Sequence, residues 1–310
     1  MEFLRESLAI EDTLRPDRLV LGFETEYTWA KAVLRQCFEK IIESGTPTIV
    51  TDWATAELAK ASANAAFLAT KISFINAIAE VCEASGADVT TLADILGHDA
   101  RIGRRVMRPG LGFGGGCLPK NIRGFMARAG ELCADQALTI LREVDAINNR
   151  RRERMVDLAR QKLDGNLMGK RVTVWGAAFK PNTDDIRDSP VLAVAQKLHE
   201  LGATVTVTDP QALDNARKTH PELDYADDPI AAVHDADLLL HLTEWAQSSH
   251  VDPHRLAARA TQAQVIDGPG TLNASTWRDA GWTFRAFGRH RGGHGGARQA
   301  KTAGLMMSVP

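Results

Sequence analysis

The stretch Gly110-Leu-Gly-Phe-Gly-Gly-Gly-Cys117-Leu-Pro-Lys120-Asn121 sets a cysteine in a glycine-rich loop with a lysine three residues on. Glycines let backbone N–H groups approach a sulfur closely, and a nearby ammonium favours the thiolate that attacks carbon. The bland alternative is a buried, inert thiol, since free cysteine usually behaves as a small hydrophobe. Gly110-x-Gly112-x-x-Gly115 also fits the dinucleotide fingerprint, but that fingerprint needs a strand before it and a helix after it. Arg104-Arg105-Val-Met-Arg-Pro109 precedes the glycines and Pro119 follows closely, so the fingerprint reading is rejected.

Two further pairs have chemistry at helical spacing. Lys60 and Asn64 lie four residues apart, on one face if the segment is helical. An ammonium and an amide donor converging on one oxygen would stabilise developing negative charge. Glu2 and Glu6 share the spacing, though acids also suit the start of any helix and a free terminus frays readily. The run Arg150-Arg-Arg-Glu-Arg154 is basic, but no aromatics interleave with it, so a solvated helix face is expected rather than a nucleic-acid site. His290 and His294 belong to a Gly-rich basic end that reads as a disordered tail, and no metal site is expected.

The elements that must hold these groups follow from pattern. The chain has 310 residues, 44% apolar and 25% charged, with a net charge of −2, enough for two domains and a sizeable core. No apolar run reaches the roughly 18 residues that suggest a membrane span, and Met1 is not followed by a basic start and an apolar stretch. Four cysteines form no C-x-x-C pair, which favours a reducing, cytoplasmic setting. Residues 18–22 and 48–50 read as short strands around a helix over 28–43. If these are the last strands of a parallel sheet, their open edges and apolar face invite association. An Ala-, Leu-, Phe- and Ile-rich stretch without proline predicts a long helix over 55–84, with more apolar surface than one neighbour would cover. Residues 136–163 predict another helix. Strands at 169–176, 204–208, 236–242 and, last, 265–266 alternate with helices such as 189–201, giving a doubly wound parallel sheet.

The series of motifs resembles the UDP-glucose/GDP-mannose dehydrogenase family, and within it the UDP-glucose dehydrogenases. Met1-Glu2-Phe3-Leu4-Arg5-Glu6 is similar to its Pro-Glu-Phe-Leu-Arg-Glu segment, followed by Ala9-Ile10-x-Asp12 and Pro16-Asp17-Arg18. Glu57-Leu-Ala-Lys60-Ala-Ser-Ala-Asn64 resembles the Lys/Asn helix, and Asp99-Ala-Arg101-Ile-Gly103 the Arg-Ile-Gly element. The cysteine loop, residues 179–190 and Leu242-Thr-Glu-Trp245 complete the likeness, over about residues 1–289. The resemblance implies an α/β protein with four parts: an NAD-binding remnant over 1–52, a helical dimerisation domain over 53–164, a UDP-binding domain over 165–289 and the tail over 290–310. The family's glycine-rich NAD turn lies upstream of what this chain contains, so a truncated member is expected.

By the same resemblance, NAD serves as cofactor, a UDP-sugar is the substrate and a homodimer is the working unit. Oxidation of the sugar's primary alcohol takes two hydride transfers. Cys117 would add to the intermediate aldehyde as a thiohemiacetal and carry the product as a thioester. Lys60 and Asn64 would stabilise the oxygen, and Glu2 would serve acid/base chemistry. The substrate would touch Glu2, Phe3, Leu4, Arg5, Lys60 and Asn64. Val106, Met107, Arg108, Pro109, Gly110, Gly114, Phe179 and Lys180 would complete its lining, with Arg101 reaching across the dimer. Glu6, Lys120 and Arg187 match cofactor-side positions. Three departures stand out. Val106-Met107 replace the usual Phe-Leu, Asn121 replaces an aspartate, and Asp267-Gly268-Pro269-Gly270 replaces Asp-Gly-Arg-Asn. Asn121 cannot accept a proton as a carboxylate does. GDP-mannose or another nucleotide sugar is the alternative substrate, and a non-catalytic, dimerising UDP-sugar-binding remnant is the alternative role.

Overall fold

The computed structural model describes residues 5–24 and 28–289. Glu2, Phe3, Leu4, His290 and His294 lie outside the described residues. Helix α1 (Ala9–Leu14) leads to strand β1 (Leu19–Gly22), helices α2 (Thr28–Cys37) and α3 (Glu39–Glu43), and strand β2 (Thr48–Thr51). The two strands pair in parallel from Leu19↔Thr48 to Gly22↔Thr51. The helix expected over 28–43 is divided at Phe38, whose backbone leaves helical geometry at ψ 14° and whose side chain lines a cleft. Leu19, Val20 and Leu21 are buried, whereas Ile49 is 50% and Val50 39% exposed, so this parallel pair leaves one strand uncovered.

A continuous helix of 33 residues, Trp53–Ser85, follows. It comprises α4 (Trp53–Lys60), a π-helical segment (Ala61–Leu68) and α5 (Ala69–Ser85). Asp52 caps it, accepting from the Thr55 N–H at 2.8 Å, and Gly86 at φ 86° ends it in a left-handed turn. Against the expectation from apolar runs, an 18-residue window of this helix has a mean hydropathy of 1.5, enough by length and composition to cross a membrane. It serves instead as the central helix of the fold. Its inner side packs on α7 (Leu118–Glu131) and α8 (Thr139–Lys162), through Ala69, Phe113, Ile122, Leu141 and Val144. Helix α6 (Val89–Gly97) closes a second small core, in which Ile75, Ala79 and Val89 are fully buried.

The C-terminal part is a six-stranded sheet of β3 (Arg171–Trp175), β4 (Thr204–Thr208), β5 (Asp224–Tyr225), β6 (Leu238–His241), β7 (Gln264–Asp267) and β8 (Thr283–Ala286). Its order is β5-β4-β3-β6-β7-β8 and every pairing is parallel. Strand order reverses between β3 and β6, which makes a crevice beyond their carboxyl ends. Residues 265–266 are not the last strand: β8 follows, and the two-residue β5 flanks the other edge. Both lie at sheet edges and carry polar or half-buried residues, so no continuous apolar run marks them. One sheet face packs on α8 and α9 (Pro190–Glu200), through Val172, Val174, Leu238 and Leu240 against Met155, Leu158 and Leu192. The other buries Trp175, Leu239, Trp277 and Trp282.

Candidate active site

Cys117 occupies the N-cap position of the 14-residue helix α7, with Pro119 in the first turn, where its missing N–H costs nothing. First-turn N–H groups there have no partner within the helix and favour negative charge. The thiol is exposed, so the buried-thiol alternative fails. The loop before it presses against residues 179–189. A Cβ at Gly115, whose φ is 82°, would lie 2.8 Å from the Phe179 ring, and the Gly115 N–H donates to the Arg187 carbonyl at 2.8 Å. A Cβ at Gly114 would overlap the Asp188 carbonyl oxygen. The Arg187 guanidinium lies over Gly116 and donates to Asp185 at 2.7 Å. Partial burial pushes the Asp185 carboxyl up, but Arg187's hydrogen bonds outweigh it and hold the carboxyl below its usual range.

Cys117 opens onto a cleft of about 1520 Å³, which Lys60 and Asn64 also line. Lys60 ends α4 and Asn64 sits in the π segment, yet both meet the same space. A π segment within a longer helix frequently marks a functional site. Arg5, Glu6, Val106, Gly114, Phe179, Lys180 and Arg187 complete the expected residues found on this cleft. The Lys180 ammonium donates to the Glu6 carbonyl at 2.8 Å and lies 5.7 Å from the Phe179 ring centroid. Partial burial pulls its pKa down, against the raising effect of Glu6. Arg5 is held by Asp12 through its backbone N–H at 2.7 Å and its guanidinium at 2.5 Å.

Other expected residues stand off the cleft. Arg101 is 90% exposed and paired with Asp99 at 2.6 Å. Met107 is buried in the core beside Ile75 and Val89. Arg108, Pro109 and Gly110 are absent from the cleft lining, as are Lys120 and Asn121. Asn121 donates its backbone N–H to the Cys117 carbonyl at 2.9 Å, the first bond of α7.

The basic run of α8 is not a solvated face. The Arg151 side chain is fully buried, Arg152 is 16% exposed, and Arg150 and Arg154 pair with Glu80 and Glu83. Desolvation lowers the Arg151 pKa to about 10. Composition alone gave no hint of this. The missed signal is the phase: buried Leu141, Val144, Asn148, Arg151 and Met155 repeat at intervals of three and four. Asp209 was also missed. Buried after β4, it accepts from the N–H groups of Ala177, Ala178, Gln211 and Ala212 and from Trp245 Nε1, all at 2.8–3.1 Å. It thereby fixes the turn leading to Phe179. The Asp-Pro at the end of a strand was its only mark in the sequence.

Residues 54–150 match the UDP-glucose/GDP-mannose dehydrogenase family, central domain, and residues 173–274 the UDP binding domain of the same family. The chain is 37% identical over 288 residues to a UDP-glucose 6-dehydrogenase of Rhizobium meliloti, covering 93% of this chain and 65% of that protein. It is 40% identical over 269 residues to one of Haloferax volcanii, covering 86% and 60%. Among solved structures, a UDP-glucose dehydrogenase from Pyrobaculum islandicum superimposes with a TM-score of 0.80 at 34% identity, over 94% of this chain and 62% of that one. The chain thus spans 60–65% of the length of these relatives. The matched residues carry the cysteine loop, the helices beneath it and the parallel sheet, and by them the chain belongs to the UDP-glucose/GDP-mannose dehydrogenase family.

Proposed function

We propose that this chain is the substrate-handling portion of a UDP-glucose 6-dehydrogenase, which oxidises UDP-glucose to UDP-glucuronate with NAD. The observation that carries the reading is the convergence of Cys117, Lys60, Asn64, Phe179 and Lys180 on one cleft. Phe179 and Lys180 offer an aromatic face and a cation to a uridine diphosphate, and Arg5 and Val106 border the sugar end. With the sugar at the aldehyde level, Cys117 Sγ forms a bond to the carbonyl carbon and a proton passes to the oxygen. Lys60 and Asn64 are suited to hold that oxygen as its charge develops.

The described residues do not by themselves fit a dinucleotide. Strand β1 ends at Gly22-Phe23-Glu24 and β2 at Thr51-Asp52, and neither offers a glycine-rich turn into a helix N-terminus. Glu6 and Arg187, assigned to the cofactor side, are on the cleft but make no cradle for a pyrophosphate, so no hydride step is routed through this chain's residues. That mismatch, with Asn121 in place of a carboxylate, favours a second reading: a dimerising UDP-sugar-binding chain with little dehydrogenase activity alone. The exposed Phe74 and Val81, seven residues apart on the central helix and off the cleft, support the homodimer in either reading. In that dimer the exposed Arg101 would serve the partner's cleft.

Calorimetric titration with UDP-glucose, GDP-mannose and NAD⁺, followed by an NADH assay, tests these readings. UDP-glucose binding without turnover supports the second, and binding with turnover supports the first. Preference for GDP-mannose, or binding of neither sugar, overturns the substrate assignment.

A further inference from the structure

The phase of α8 places two polar residues where a core helix needs apolar ones. Asn148 is 1% and Arg151 0% exposed, in line with Val144 and Met155. Burying an amide or a guanidinium is costly unless a partner compensates it. Both find their partners in the backbone of the cysteine loop. Asn148 Oδ1 accepts the Phe113 N–H at 2.7 Å, and its Nδ2 donates to the Phe113 carbonyl at 3.0 Å. One side chain therefore meets both polar groups of Phe113, whose carbonyl also accepts from Arg152 Nη2 at 3.3 Å. Gly112, at φ 96°, lies so close that a Cβ there would overlap Asn148 Oδ1.

Arg151 holds the loop three residues earlier. Its Nε donates to the Gly110 carbonyl at 3.1 Å, while the Gly110 N–H is taken by Asn76 Oδ1 of α5 at 2.8 Å. Its guanidinium lies 4.0 Å from the Phe287 ring centroid, after β8, and its Nη1 lies 3.8 Å from Glu80. Neither Nη atom makes a hydrogen bond. The arginine thus makes one hydrogen bond, to the loop, at the cost of burying its whole head group. Beyond Phe113 the chain meets Phe179, Asp188 and Arg187 and then Cys117.

We propose that Asn148 and Arg151 are positioning residues, which fix the Gly110–Phe113 backbone and so hold Cys117 at the N-terminus of α7. The inference rests on Cys117 being the nucleophile of the proposed function, but it does not depend on which sugar is bound. Without the two anchors the loop keeps its contacts to residues 179–189 and the single hydrogen bond from Arg152 Nη2 to the Phe113 carbonyl, at 3.3 Å, but loses its register on α8, and the thiol leaves the helix end.

The test uses the full chain and its own cysteines. Asn148→Leu fills the amide's space without its hydrogen bonds, and Arg151→Met keeps a stem against Phe287. Iodoacetamide labelling without sugar is followed by peptide mass spectrometry. Exposed Cys37 serves as internal reference and buried Cys82 as reporter of unfolding. The expected result is at least a three-fold fall in the Cys117-to-Cys37 rate ratio in each variant, with Cys82 unlabelled. A smaller change in either variant overturns the proposal, and so does labelling of Cys82 in both, which would mean that these residues only hold the fold. Adding UDP-glucose to the unsubstituted chain separates the two claims. Failure of the sugar to slow Cys117 labelling counts against the proposed substrate and leaves the comparison of variants intact.

Discussion

Asp209 gathers five hydrogen bonds onto one buried carboxylate, four of them from backbone N–H groups of two different turns. An amide in its place offers one acceptor oxygen and directs two donors at donors. Asp209→Asn is therefore expected to cost about 3 kcal/mol, read from urea unfolding, and to weaken UDP-glucose binding by loosening the approach to Phe179. A variant with unchanged midpoint and affinity would contradict this. At Gly114 the constraint is space. Gly114→Ala must displace the Asp188 carbonyl, so calorimetry should show at least a ten-fold loss of UDP-glucose affinity, whereas Gly124→Ala in α7, which meets nothing, should leave it unchanged. Residue by residue, types and spacing pointed to Cys117, Lys60 and Asn64, whereas Phe179, Lys180 and Arg187 entered only through the family resemblance; all six line the cleft. Arg151 was not legible, because four arginines in five residues look solvated until the phase of the helix is compared with its neighbours.

Elements explain how distant parts of the chain share one cleft. The central helix was readable from its alanine-rich, proline-free run, but its π segment was not, since no residue type demands the wider turn. Its outer side carries a stripe of Phe74 and Val81, 47% and 59% exposed, whereas Phe67 lines the cleft. Phe74→Glu should convert a dimer to a monomer in sedimentation equilibrium, and a wild-type chain that is already monomeric would refute the stripe's assignment. The segment 179–189 is held differently, by charge. Asp185's folded pKa lies below its ordinary value, so the stability from its Arg187 pair is complete above the unfolded value of about 4 and is lost as pH falls through the lower folded one. Affinity for the proposed UDP-glucose ligand should show no pH dependence from this pair between roughly pH 8 and pH 5, and should fall below about pH 4. Opening of this clasp centred near neutrality, seen as hydrogen exchange of the Gly115 amide, would mean that Asp185 is not what holds it.

Across the whole molecule, the parallel sheet was legible from alternation of apolar runs and helices, while its edge strands β5 and β8 were too short or too polar to register. The two-stranded β1–β2 unit is the weak end of the design. Ile49 and Val50 stay exposed on β2, and Trp29, in α2 between the two strands in sequence, is 67% exposed. Ile49→Lys is expected to reduce light scattering of concentrated solutions without lowering the melting temperature, as expected for a charge on an uncovered strand. The distribution of tryptophan gives the two ends separate optical signatures. Trp29 and Trp53 face solvent and should emit at long wavelength, whereas Trp175, Trp245, Trp277 and Trp282 are each under 5% exposed within the sheet region and should emit in the blue. Loss of the N-terminal strands would then pass almost unseen in the blue band, while acrylamide would quench the red one from the start. A single emission spectrum can thus report which end of the chain yields first to heat or urea.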